Sequence, residues 1–183
     1  MSFKSLCGIA VSLIVAGVTV PVVGGGHQSS ASNAAGSGVI GKCAPEIGDG
    51  KWINSCPLKL GDLRGKVVLV EFWTFGCYNC RNTIPHLENW YEKYRGENFE
   101  LIGVHTPEFE REKEFSTLVE QTRSLGITYP VVTDNELKTW NAYDQEYWPV
   151  VYIIDKKGIV RYVHIGEGDY PVTERWIQDL LRQ

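Results

Sequence analysis

Basic charge is scarce in this chain. Eighteen Lys and Arg face twenty-two Asp and Glu, a net charge of -4, and no basic cluster stands out. That argues against nucleic acid as a partner. A second Cys-x-x-Cys is also missing. Cys43 and Cys56 do not supply one, so the four-ligand spacing of a zinc knuckle is absent and no metal is expected. Arg81, not His, follows Cys80, which argues against c-type haem attachment. His27, His86 and His164 show no ligand spacing, and no internal repeat is visible. No cofactor is therefore expected. Bulk disorder is excluded by an ordinary composition of 43% hydrophobic and 22% charged residues.

One Cys-x-x-Cys is present, in Trp73-Thr74-Phe75-Gly76-Cys77-Tyr78-Asn79-Cys80-Arg81. It directly follows the apolar run Val67 to Phe72, which Glu71 interrupts. A buried strand that ends in this motif and opens a helix presents Cys77 at a helix N-terminus. Free N–H groups and the helix dipole there favour a thiolate. Cys80 lies one turn further in, near enough to close a disulfide on Cys77. Such a pair suits electron exchange more than stapling.

The first residues read differently. Lys4 precedes a largely apolar stretch from Leu6 to Val23. A positive start, an apolar run and then small residues spell a secretory signal, with a retained membrane anchor as the alternative. Cleavage could follow Gly24, Ala31 or Ala35, and Cys7 is a passive apolar residue of that segment. The expected organisation is a signal or anchor at 1–24, a Gly/Ser/Ala linker at 25–42 and one domain at 43–183. Export places the domain outside the cytoplasm, where disulfides persist. With Cys77 paired to Cys80, Cys43 and Cys56 are left as a structural staple on the entry segment. Closing a loop of that size is worth about 3 kcal/mol.

Along the domain, period and punctuation suggest a helix from the cysteines to Gly96, with Pro85 kinking it. A strand is expected over 99–104, a helix over 110–125, a short strand over 129–132 and a short helix over 135–143 capped by Asp134. Two strand patterns, 150–155 and 159–164, flank Lys156-Lys157-Gly158 as a hairpin. A last helix covers 173–181. The fold class is α/β, a mixed sheet with helices on both faces.

In this order the chain resembles the thioredoxin superfamily, through strand, Cys-x-x-Cys, helix with proline, X-Pro before a hairpin, and final helix. The α-β-α stretch from Glu110 to Tyr143 looks like the insertion of TlpA-like and redoxin-type members. Trp52-Ile53-Asn54-Ser55, Phe72-Trp73-Thr74, Gly103-Val104-His105-Thr106-Pro107-Glu108-Phe109, Tyr147-Trp148-Pro149 and Gly166-Glu167-Gly168-Asp169-Tyr170 are similar to the thioredoxin-like domain of DipZ-type proteins. The resemblance implies Cys77 as nucleophile, Cys80 as resolving thiol and Glu71 as the buried proton acceptor for Cys80. It implies a cis bond at Trp148–Pro149. Trp148, Pro149, Tyr78, Asn79 and Trp73 would meet substrate. Protein disulfides are the expected substrates, a separate membrane thiol the donor, and a monomer the expected state.

Two other readings fit parts of the sequence. Thr74, three residues before Cys77, suits a peroxidase of the peroxiredoxin type, but Val70 stands where that mechanism wants proline. A non-enzymatic metal- or partner-binding module of the same shape is the second. His105 could be catalytic or simply packed. Glu108 to Glu114 reads as a solvated helix start.

Overall fold

The computed structural model describes residues 37–96 and 98–183. The signal or anchor segment, most of the linker, Cys7, His27 and the candidate cleavage points lie outside the described residues.

Seven consecutive apolar or aromatic-flanked residues at Val67–Trp73 form β2, and all seven are buried. A strand hidden on both faces belongs at a sheet centre. β2 pairs in parallel with β3, Phe99–His105, and antiparallel with β5, Val150–Ile154. β3 carries β4, Val131–Thr133, in parallel, and β4 carries the two-residue β1, Trp52–Ile53, antiparallel. β5 turns through the expected hairpin into β6, Val160–Ile165. The sheet order is β1-β4-β3-β2-β5-β6.

Alternation along β2 divides the core. Val67, Leu69 and Trp73 meet the helices α1, Tyr78–Tyr94, and α4, Tyr170–Leu181, through Ile84, Leu87, Trp90, Ile177 and Leu180. Val68, Val70 and Phe72 point the other way, onto Trp140 of the short helix α3, Lys138–Ala142, and onto Ile47, Leu60 and Leu63. Glu71 shares the α1 face by the same two-residue period.

Several elements depart from the sequence reading. α1 contains Pro85, as expected, and ends at Tyr94, two residues before Gly96. The helix expected over 110–125 is two elements, a 3₁₀ turn at Glu110–Lys113 and α2 at Phe115–Ser124. Glu114 separates them, its carboxylate accepting the Ser116 N–H at 3.4 Å. α3 starts late because Leu137 is left-handed at φ 57. Asp134 still caps it, accepting from the N–H groups of Thr139 at 3.0 Å and Trp140 at 2.8 Å. α4 starts early because Pro171 occupies its first turn. Ordered backbone begins before residue 43. Gly41 N–H donates to Val160 and Val160 N–H donates to Lys42, so the end of the expected linker lies along β6.

The expected staple is not formed. Cys43 and Cys56 are both exposed free thiols. Cys43 bridges to Ile159 beside β6, whereas Cys56 follows β1 at the opposite edge of the sheet. A disulfide needs Cα atoms roughly 4.4–6.8 Å apart. Nearness in sequence does not survive a chain that crosses the sheet between the two.

Candidate active site

Where β2 leaves the sheet, the chain turns at Thr74–Gly76 and enters α1. Cys77 is the residue that caps α1, with extended backbone at φ -79 and ψ 120. Its Sγ accepts the Cys80 N–H at 3.3 Å. Cys77 is partly exposed and Cys80 is buried, both as free thiols. The hydrogen bond from the Cys80 thiol, helped by the backbone N–H groups of Cys80 and Asn79, brings the Cys77 thiol down to about 7, against partial burial and the Glu108 charge. Burial, that same bond and the Glu71 charge push the Cys80 thiol up. The pair is thus one poised sulfur and one that stays protonated.

Glu71 is fully buried on the α1 face of β2. Its Oε2 accepts the Tyr129 hydroxyl at 3.2 Å, and its Oε1 has no partner among the described residues. Desolvation holds its carboxyl well above the ordinary range, offset in part by the Tyr129 bond and reinforced by the Cys77 charge. A raised carboxyl binds a proton more tightly than a free one, which suits it to accept one from a neighbouring thiol.

The Trp148–Pro149 bond is cis, as the resemblance implied. Pro149 is buried, while Trp148 is half-buried and stacks on Trp140 at 4.2 Å between centroids. Trp148, Tyr147 and Glu146 face Gly76–Asn79 and Glu108 across an open cleft of about 490 Å³. Tyr78 and Asn79 are exposed on its near wall. A cavity of about 520 Å³ between residues 48–51 and 133–138 holds neither thiol.

Trp73 does not belong with the substrate-facing residues. It is fully buried, edge-on to His105 at 5.2 Å, because its place in β2 turns it into the core. Gly103 makes room for it. A β-carbon there would lie 2.9 Å from Trp73 Nε1 and 3.0 Å from Tyr129 Cε2.

Sequence reasoning missed a second buried carboxylate. Glu112, read as part of a solvated run, is 1% exposed. Its Oε2 accepts the Thr74 hydroxyl at 2.6 Å, Glu108 N–H at 2.9 Å and Phe109 N–H at 3.4 Å. Thr74 Oγ1 lies 3.3 Å from His105 Nε2. His105 is buried, stacked on Phe75, and its imidazole is pulled down to about 4 by burial, against the Glu112 charge. It is a packed neutral ring. A β-carbon on Gly76 would collide with Glu112 Oε1. That glycine, next to the nucleophile, was the one sequence signal of a close approach.

The AhpC/TSA family pattern matches residues 40–163. The chain belongs to the AhpC/TSA family. Within the thioredoxin superfamily it falls in the TlpA-like branch, with a thioredoxin-like fold. DipZ of Mycobacterium bovis is 44% identical over 142 residues, 75% of this chain but 20% of that protein. The chain thus spans about a fifth of the length of the DipZ relatives it matches. Thiol-disulfide oxidoreductase YkuV of Bacillus subtilis is 25% identical over 76% of this chain and 94% of its own length. A thiol-disulfide isomerase structure from Corynebacterium glutamicum superposes with a TM-score of 0.67 at 27% identity, covering 76% of this chain and 97% of that one.

Proposed function

We propose that this chain is an extracytoplasmic thiol–disulfide oxidoreductase that reduces protein disulfides through Cys77 and Cys80. The observation that carries the reading is the asymmetry of the pair. One sulfur is partly exposed and brought down to about 7, and its neighbour is buried and feels the charge of buried Glu71.

The Cys77 thiolate attacks one sulfur of the substrate disulfide. That bond breaks, a mixed disulfide forms, and the departing substrate sulfur takes up a proton. Cys80 then gives its proton to the Glu71 carboxylate and attacks Cys77 Sγ. The second substrate sulfur leaves as a thiolate and takes up a proton from water, and Cys77–Cys80 closes as a disulfide. Two electrons have passed from the pair to the substrate. A dithiol donor, read as a membrane partner, must return them. A thiol near 7 accompanies reducing pairs, whereas oxidising ones stabilise their thiolate far more, near 3.5. The value of about 7 at Cys77 supports the reducing direction. Export rests on Lys4 and the apolar stretch from Leu6 to Val23.

Peroxidase chemistry finds less support. The Thr74 hydroxyl is committed to Glu112, and Cys80 sits one helical turn from Cys77, as a dithiol mechanism wants.

The test is reduction of insulin disulfides by the dithiol protein. Cys77→Ser should abolish it, and Cys80→Ser should accumulate a mixed disulfide visible by mass. Full activity in Cys77→Ser would overturn the assignment.

A further inference from the structure

The cleft around Cys77 carries charge of one sign. Glu108 and Glu146 are exposed on its rim, and among the described residues no Lys or Arg lines it. Neither carboxylate meets a cation among the described residues, whereas Glu100, Glu110, Glu136 and Glu174 each do. The backbone that carries Glu108 is also held in place. Glu112, buried under the loop, holds the Glu108 N–H at 2.9 Å and ties that loop to Thr74. Two tyrosines stand open beside the carboxylates, Tyr78 at 76% and Tyr147 at 52% exposure. Exposed ring faces next to unpaired carboxylates attract ammonium and guanidinium groups, and offer apolar area to their stems.

We propose that this cleft selects polypeptide disulfides that carry Lys or Arg beside the reacting cysteine. The proposal rests on the thiol-exchange reading above and adds to it the chemical class of substrate. Two unpaired carboxylates beside an attacking thiolate repel the charge that does the chemistry. A cation delivered by the substrate offsets that repulsion at the moment of attack. An acidic segment would add a third like charge to the cleft. The rim therefore favours one class of partner twice, in encounter and in the mixed-disulfide step.

The test uses three synthetic peptide disulfides of one length, with Lys, Ser or Glu flanking the cysteine. The reduced protein and its Glu108→Gln, Glu146→Gln and double variants react with each in stopped flow. The readout is the ratio of each rate to that of the Ser peptide, which cancels any change in intrinsic Cys77 reactivity. Unit charges a few ångströms apart in water alter a rate by a factor of about three to five. The Lys to Ser ratio should fall about threefold with each single variant and about tenfold with both. The Glu to Ser ratio should rise by a similar factor. Raising the salt to about 1 M should flatten both ratios in the unaltered protein. Ratios near one at low salt, or ratios that the double variant leaves unchanged, overturn the charge selection while exchange itself stands. No reaction with any of the three peptides overturns the exchange reading, and the selection falls with it.

Discussion

At the residue scale the division of labour turns on where one carboxylate sits. Glu71 lies in an otherwise apolar strand, a position that costs several kcal/mol for a charge left unpaired. Tyr129 satisfies one oxygen and leaves the other free. The neighbour that gains from this is Cys80, whose thiol is pushed up and must still lose its proton to release substrate. Glu71→Gln keeps the shape and the Tyr129 contact but cannot accept that proton. The variant should form the mixed disulfide at close to the normal rate and resolve it about 10²–10⁴-fold more slowly, the range for a lost general base. Quench-flow with mass detection separates the two steps. Equal slowing of both would remove Glu71 from the resolving step. This role was implied by resemblance; the strand pattern alone placed Glu71 in the core without saying which side it faced.

At the element scale the sheet-and-helix frame was legible wherever a period ran long enough. β2, α1 and the β5–β6 hairpin announce themselves through seven buried residues, a repeated apolar face and a glycine turn. β1 has two residues, too few for any alternation to register. The charge run from Glu108 to Glu114 hides Glu112, because a 3₁₀ turn aims one carboxylate inward while its neighbours stay wet. The pairing of Cys43 with Cys56 failed for the converse reason, since elimination among cysteines says nothing about which edge of a sheet each reaches. Close approaches between elements are equally silent in sequence until a glycine marks them. Gly103 in β3 lies against Trp73 of β2 and Tyr129, both buried rings with no room to retreat. Gly103→Ala should cost about 1–3 kcal/mol, the range for overpacking a tight core. It should also disturb the Tyr129–Glu71 bond, because the added methyl crowds the Tyr129 ring at 3.0 Å as well as Trp73. Chemical denaturation measures the loss. A variant as stable as the parent would mean the two rings move freely.

For the whole molecule, burial of two ionisable groups on either side of the redox loop makes stability depend on pH in opposite senses. His105 titrates near 6.5 in an unfolded chain and near 4 when folded. Between those values the unfolded state holds the extra proton, so this ring makes stability rise with pH. Glu71 is the reverse. Its folded carboxyl stays protonated well above the value of 4.5 for a free one, so the folded state holds the extra proton and stability falls as pH rises through that window. Across about pH 5 to 6 the two contributions oppose each other, each worth up to about 1.4 kcal/mol per pH unit. Removing one should expose the other. Glu71→Gln should tilt the stability curve upward with pH relative to the parent by about that slope, and His105→Asn should tilt it downward by a similar amount. Both variants can lose absolute stability without touching the sign of the tilt, since the slope counts protons and not contacts. Urea titrations of the reduced protein at half-unit steps from pH 4.5 to 6.5 read it directly. Parallel curves for parent and both variants would mean that neither group changes its proton affinity on folding. Glu71 would then lack the raised proton affinity on which the resolving step depends.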